Sequence, residues 1–256
     1  VSNSVISFAS NLVTGDVINF IQILGNVLDL GVPSDATVST AKIVDANVTL
    51  AKLSATGTKN STTFLRGDNT FSVVSSDYVL LATTDASSSS SISFNGYFSS
   101  TYKNYEIIFT DVFPSSSSGN IRVRFRKSDS DITSSNYAFG GGGAYQYTGV
   151  GSGFAYFGSG SGADHIKLQT ESGTRHTSNY ASFAKVTIFN PLATNTYKTI
   201  TSENGIVQRA DNSNYNYTIV GSSGMLYDNT NALTGITFYM DTGNITSGNF
   251  KLYGIK

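Results

Sequence analysis

The stretch Ile121-Arg122-Val123-Arg124-Phe125-Arg126 alternates apolar and charged side chains without a break. Successive side chains of a β-strand point to opposite faces, so this pattern makes one apolar face and one basic face. Runs of similar character flank it. Tyr78-Val79-Leu80-Leu81, Ser91-Ile92-Ser93-Phe94 and Tyr105-Glu106-Ile107-Ile108-Phe109 come before. His165-Ile166-Lys167-Leu168, Ala184-Lys185-Val186-Thr187-Ile188-Phe189, Tyr215-Asn216-Tyr217-Thr218-Ile219-Val220, Ile236-Thr237-Phe238-Tyr239-Met240 and Phe250-Lys251-Leu252-Tyr253 come after. Short β-branched and aromatic runs between polar turns predict an all-β, antiparallel, jelly-roll-like β-sandwich over residues 72–256. No long amphipathic helix is expected.

Upstream the pattern changes. Asp35-Ala36-Thr37-Val38-Ser39-Thr40-Ala41-Lys42-Ile43 returns ten positions later as Asp45-Ala46-Asn47-Val48-Thr49-Leu50-Ala51-Lys52-Leu53. Val38 and Ala41, like Val48 and Ala51, are three apart, which predicts one helical turn capped by Asp35 or Asp45. A unit this short is marginal alone and gains stability only by packing against neighbours. Three copies side by side are the expected arrangement, making residues 34–71 a repeat-built trimeric shaft; an ordinary linker with accidental similarity is the alternative. Residues 1–33 read as the end of a small β-domain. There Val5-Ile6-Ser7-Phe8 and Val17-Ile18-Asn19-Phe20-Ile21-Gln22-Ile23-Leu24 are candidate strands around the turn Thr14-Gly15-Asp16.

These residues also carry a likeness. The repeat, with Thr63-Phe64-Leu65-Arg66-Gly67-Asp68-Asn69-Thr70-Phe71 after it, resembles the shaft of bacteriophage tail fibres, where V-T-x-A-K-L units precede an F-L-R-G-D phrase. Gly15-Asp16-Val17-Ile18 and Asp29-Leu30-Gly31-Val32-Pro33-Ser34 are similar to segments of marine podovirus fibres. Tyr102-Lys103-Asn104-Tyr105-Glu106-Ile107, Val112-Phe113-Pro114-Ser115 and the final Phe250-Lys251-Leu252-Tyr253-Gly254-Ile255-Lys256 resemble the distal knob. The likeness implies a virion protein that attaches a phage to its host, with upstream residues joining other tail proteins. The implied partners are two further copies of the chain and a host polysaccharide, lipopolysaccharide or outer-membrane protein. It implies no cofactor. A capsid fibre or decoration protein and a polysaccharide depolymerase are the rival readings.

Composition narrows the classes. The 256 residues hold no cysteine, so disulfides and thiolate metal sites are excluded. Net charge is −1 and only 13% of residues are charged, so nothing attracts nucleic acid or an anionic membrane over a distance. No run reaches the roughly 18 apolar residues of a membrane span, and the first residues lack the pattern of a signal peptide. The chain starts at Val1 in a strand-like pattern, which suggests the distal part of a longer protein.

Two low-complexity stretches read as loops. Residues 86–91 are mostly serine. In 140–165, Tyr145, Tyr147, Phe154, Tyr156 and Phe157 are set among glycines, a composition shared with antibody contact loops. Tyrosine offers an apolar face to a sugar ring and a hydroxyl to its OH groups. The candidate receptor contacts are therefore Tyr145, Tyr147, Phe154, Tyr156, Asp164 and His165, with Asn214 and Tyr215 from a second polar segment. Each has a plainer reading, as packing at the end of the sandwich or as a turn. The three arginines of 122–126 could hold acidic groups of a lipopolysaccharide, or form a solvent-facing row paired with carboxylates of a neighbouring strand or subunit. Asp129-Ser130-Asp131 lacks the remainder of a calcium loop and reads as a turn. Arg66-Gly67-Asp68 spells an adhesion tripeptide but reads as a tight turn. Two histidines without metal spacing, three glutamates and no G-x-S-x-G elbow give catalysis no motif, so binding without turnover is expected.

Overall fold

The computed structural model describes residues 11–18, 36, 38–116, 119–147, 151–168, 181–210, 214–227 and 230–256. The chain divides into two compact units, Val1–Val74 and Ser75–Lys256. The described residues are all-β apart from two short 3-10 turns, and no helix among them is long and apolar enough to cross a membrane.

In the first unit the sequence repeat is a repeat of structure. Thr40–Lys42 and Leu50–Lys52 each form one 3-10 turn, closed by Ile43 N–H to Thr40 O at 3.1 Å and by Leu53 N–H to Leu50 O at 3.3 Å. The expected aspartate caps are a correction. The cap positions are Ser39 and Thr49, with no side-chain hydrogen bond, while Asp45 lies outside the turn and Asp35 outside the described residues. Val38 and Val48 precede the turns, so the anticipated stripe is not one helical face. Lys59 Nζ donates to Leu50 O at 3.0 Å and Leu53 O at 3.1 Å, tying together the first residue of the second turn and the residue that follows it. β1 (Phe64–Leu65) and β2 (Phe71–Ser72) make a hairpin across the tight turn of Arg66 to Asn69, where Arg66 pairs loosely with Asp68 at 3.8 Å. Gly57 is required: φ is +89°, and a Cβ would collide with the Phe71 carbonyl. Residues 13–16 form the expected turn, but Val17 and Ile18 are not in a strand; the remainder of 19–24, and 5–8, lie outside the described residues.

The second unit holds two antiparallel sheets. One has β3 (Tyr78–Ser89), β15 (Ile245–Ile255), β5 (Asn104–Pro114), β11 (Ser182–Phe189), β12 (Lys198–Ala210), β13 (Asn214–Leu226), β8 (Tyr137–Tyr147) and β9 (Gly151–Ala163), side by side in that order. The other runs β10 (Ile166–Lys167), β6 (Ile121–Lys127), β14 (Gly235–Met240), β4 (Ser91–Asn95), with β7 (Ser130–Asp131) hairpinned onto β6. The alternation read from 121–126 is what packs them. Ile121, Val123 and Phe125 are buried, as are Ile236 and Phe238 beside them and Ile107, Phe109, Val186, Ile188, Phe250 and Leu252 from the larger sheet. Phe238 meets Phe109 and Phe250 at centroid distances of 5.9 and 5.7 Å, joining the sheets. Fully burying a side chain of this size stabilises by about 1.5–3 kcal/mol.

Three expectations need correction here. The serine stretch 86–91 is the end of β3 and the start of β4 rather than a loop. The glycine–aromatic stretch is the hairpin β8–β9 rather than loops. His165-Ile166-Lys167-Leu168 contributes only the two-residue β10. β12 likewise has no counterpart among the expected strands.

Candidate functional site

β9 is the outer edge of the larger sheet, and its residues pair with β8 one for one: Ala144 with Phe154, Gly142 with Tyr156, Gly140 with Gly158. Because Tyr137 and Phe139 pack toward the core, their neighbours Ala138, Gly140, Gly142 and Ala144 face away from it. Phe154 and Tyr156 share that outer face, 57% and 82% exposed, with ring centroids 4.9 Å apart. Beside them the floor is bare backbone. Gly142 pairs with Gly221 of β13, and nothing lies within 4 Å of where a Gly221 Cβ would stand. One strand further on, Glu203 pairs with Gly221 and Lys185 with Glu203, their side chains 3.4 Å apart. Two strands of glycine about 5 Å apart thus separate an aromatic wall from a charged one. A depression of about 290 Å³ continues the strip, lined by Gly140, Phe189, Thr199, Thr201, Ser223 and Met225.

This arrangement offers a flat ring somewhere to lie. The aromatic faces take C–H surface, the glycines permit close approach, and Thr201, Ser223 and Glu203 supply hydrogen-bonding groups. Phe154 and Tyr156 are among the candidates named from sequence, whereas Gly221, Glu203 and Thr201 are not, because only strand register brings them alongside.

Tyr145 and Tyr147 lie near the far end of β8, where Tyr145 pairs with Thr218 and Tyr147 with Asn216. Asn214 begins β13, and Tyr215 pairs with Arg209. The two candidate segments, remote in sequence, therefore reach the same end of the sheet. That end is opposite the one where Tyr78 of β3 pairs with Ile255. Residues 211–213, the part of that polar segment just before Asn214, lie outside the described residues.

Asp164 and His165 stand apart, on the strand connection between β9 and β10. Asp164 Oδ1 is 2.6 Å from His165 Nδ1, and its other oxygen accepts a bond from Arg124. The hydrogen bond from His165, reinforced by Arg124, holds the Asp164 carboxyl below its usual range. Burial pushes His165 below 6.5 against the pull of Asp164. Its ring is tilted against Phe139 at 5.7 Å. Among the described residues, no serine and no second carboxylate is bonded to this pair.

The arginine row is paired within the chain. Arg122 meets Asp241 at 3.3 Å, Arg124 meets Asp164, and Arg126 meets Asp131 at 2.5 Å. Arg124 also lies over the Tyr239 ring at 4.7 Å. Ser128 and Asp129, both left-handed, make the two-residue β6–β7 turn, so Asp129-Ser130-Asp131 is a hairpin. Among the described residues no three His, Cys, Asp or Glu side chains cluster to hold a metal. No protein-family model matches this chain, and neither a curated protein nor a solved structure does.

Proposed function

We propose that this chain is part of a bacteriophage tail fibre that attaches to a host-surface glycan and releases it unchanged. The fibre reading rests on the repeat. Two ten-residue units fold to the same single turn, bury none of its residues, and leave Val38, Ile43, Val48 and Leu50 between 44% and 54% exposed. Ala55 is the one buried apolar side chain among the described residues of that unit. Such a segment has no core of its own, and association of three copies would bury its apolar residues. Three identical sandwiches on one shaft then turn weak contacts into firm attachment.

The jelly-roll reading is supported by strand order. β4-β14-β6-β10 opposes β5-β11-β8-β9, with the β12–β13 hairpin inserted and β15 and β3 added at one edge. The glycan reading is supported by the aromatic pair beside its glycine strip. Sedimentation equilibrium should give three chains of 27.2 kDa; one chain would overturn the shaft. The trimeric protein should bind host cells saturably and block adsorption of the cognate phage. Failure to bind would overturn attachment, and sustained release of reducing ends from host polysaccharide would overturn binding without turnover.

A further inference from the structure

A second groove, of about 730 Å³, opens at the end of the sandwich where β5 and β12 begin. It lies between the segment joining β4 to β5 and the segment joining β11 to β12, with Thr101, Asn190, Thr194 and Asn195 among its lining residues. The Tyr102 ring fixes one wall to β15, since a Cβ on Gly254 would stand 2.5 Å from it. Lys103 and Lys256, both exposed, also line the groove, and neither makes an ion pair among the described residues. Lys103 N–H donates to Ile255 O at 2.7 Å, which keeps the two lysines on neighbouring strands at one side. The other wall covers a third cation. Lys198 is fully buried, and its ammonium donates to the carbonyl of Ala193, a groove residue. Burial lowers its pKa, and among the described residues no carboxylate contacts it. No acidic side chain is among the described residues that line the groove.

An ammonium withdrawn from water without a counter-charge leaves a positive potential around it. Here it adds to two unpaired lysines, in a chain whose net charge is −1. We propose that this groove binds an oxyanion, a carboxylate or phosphate group carried on a small hydroxylated molecule. Lysines supply point charges for the anion, while the threonine hydroxyls and asparagine amides match the hydroxyls beside it. The site uses none of the residues of the aromatic strip and stands without the attachment reading.

Calorimetric titration of the intact chain with inorganic phosphate, and separately with glucuronate, at constant ionic strength tests it. A saturable heat is expected with at least one of them, about tenfold weaker in K103Q/K256Q and unchanged in K127Q, an exposed lysine at the end of β6 outside both sites. A response to phosphate alone assigns a phosphoryl ligand, and one to glucuronate alone a sugar acid. No saturable heat with either, or undiminished affinity in a folded K103Q/K256Q chain, would overturn the proposal.

Discussion

Ala36 and Ala46, ten positions apart, hold the same left-handed backbone, with φ of 60° and 67°. Left-handed geometry costs an L-residue about 1–2 kcal/mol, so both units store the same strain at the same step. Ala46→Gly should therefore relieve strain and stabilise the turn by up to about 1 kcal/mol, whereas Ala46→Val should destabilise it by a similar amount. Hydrogen exchange at Asn47 and Lys52, whose amides donate to Val44 O at 3.1 Å and Thr49 O at 2.9 Å, reads this directly. Faster exchange in Ala46→Gly would contradict it.

Arg126 joins the hairpin β6–β7 to the smaller sheet. Its guanidinium donates to Asp131 at 2.5 Å, Thr237 at 2.9 Å, Ser93 at 3.3 Å and Asn95 at 3.3 Å, and also to the Asp129 carbonyl. Removing it strands a partly buried carboxylate, so Arg126→Ala should cost about 2–4 kcal/mol in urea unfolding. Arg126→Lys should recover only a minor part, because one ammonium cannot reproduce the planar fork. Full recovery by lysine would show that charge alone matters there.

His165 and Asp164 should make stability fall on acidification. The folded pKa of His165 lies below 6.5, so the unfolded chain takes up a proton first and stability drops as pH falls from 6.5 through the folded value. Asp164, also lowered, contributes stability above 3.8 that is lost as pH falls through its folded value. Arg122 and Arg124 oppose the imidazolium, and Asp164 favours it. His165→Gln should flatten the stability profile just below pH 6.5 and also shrink the more acidic loss, since the His165 hydrogen bond is the main hold on the Asp164 carboxylate and Arg124 supplies the rest. An unchanged slope in that upper window would assign the effect elsewhere.

Strands with an apolar inner face were legible, and those without one were not. β6, β11 and β14 announced themselves because Val123, Val186 and Phe238 are among the residues filling the core. β12 is hidden because Ser202 and Asn204 stand at its inward positions. There Ser202 Oγ bonds Ser222 Oγ, and Asn204 Nδ2 donates to Leu168 O at 2.6 Å. A buried polar ladder leaves no hydrophobic period to read. β8 hides for another reason: Gly140 to Gly143 have no side chains, so composition suggested a loop. For the candidate site, single residues were visible in sequence but their partners were not. Gly221 sits beside Tyr156 only through two successive strand pairings.

Gly221 and Tyr156 give the most direct test of the strip as a binding surface. A Cβ at Gly221 meets nothing within 4 Å, and its backbone is not left-handed, so Gly221→Val should fold with little change in melting. The isopropyl group would nonetheless rise from the floor between Tyr156 and Glu203 and exclude a flat ring. Tyr156→Ala removes a side chain that is 82% exposed, so it too should leave the fold intact. Both should weaken cell binding by about tenfold, the loss expected for one well-used aromatic contact. Gly205→Val is the contrasting case, because its side chain would run into the Phe183 ring and strain the sheet itself. A chain that binds cells as before with valine at Gly221 and alanine at Tyr156 would move receptor contact away from this face, toward the strand ends that carry Tyr147 and Asn214.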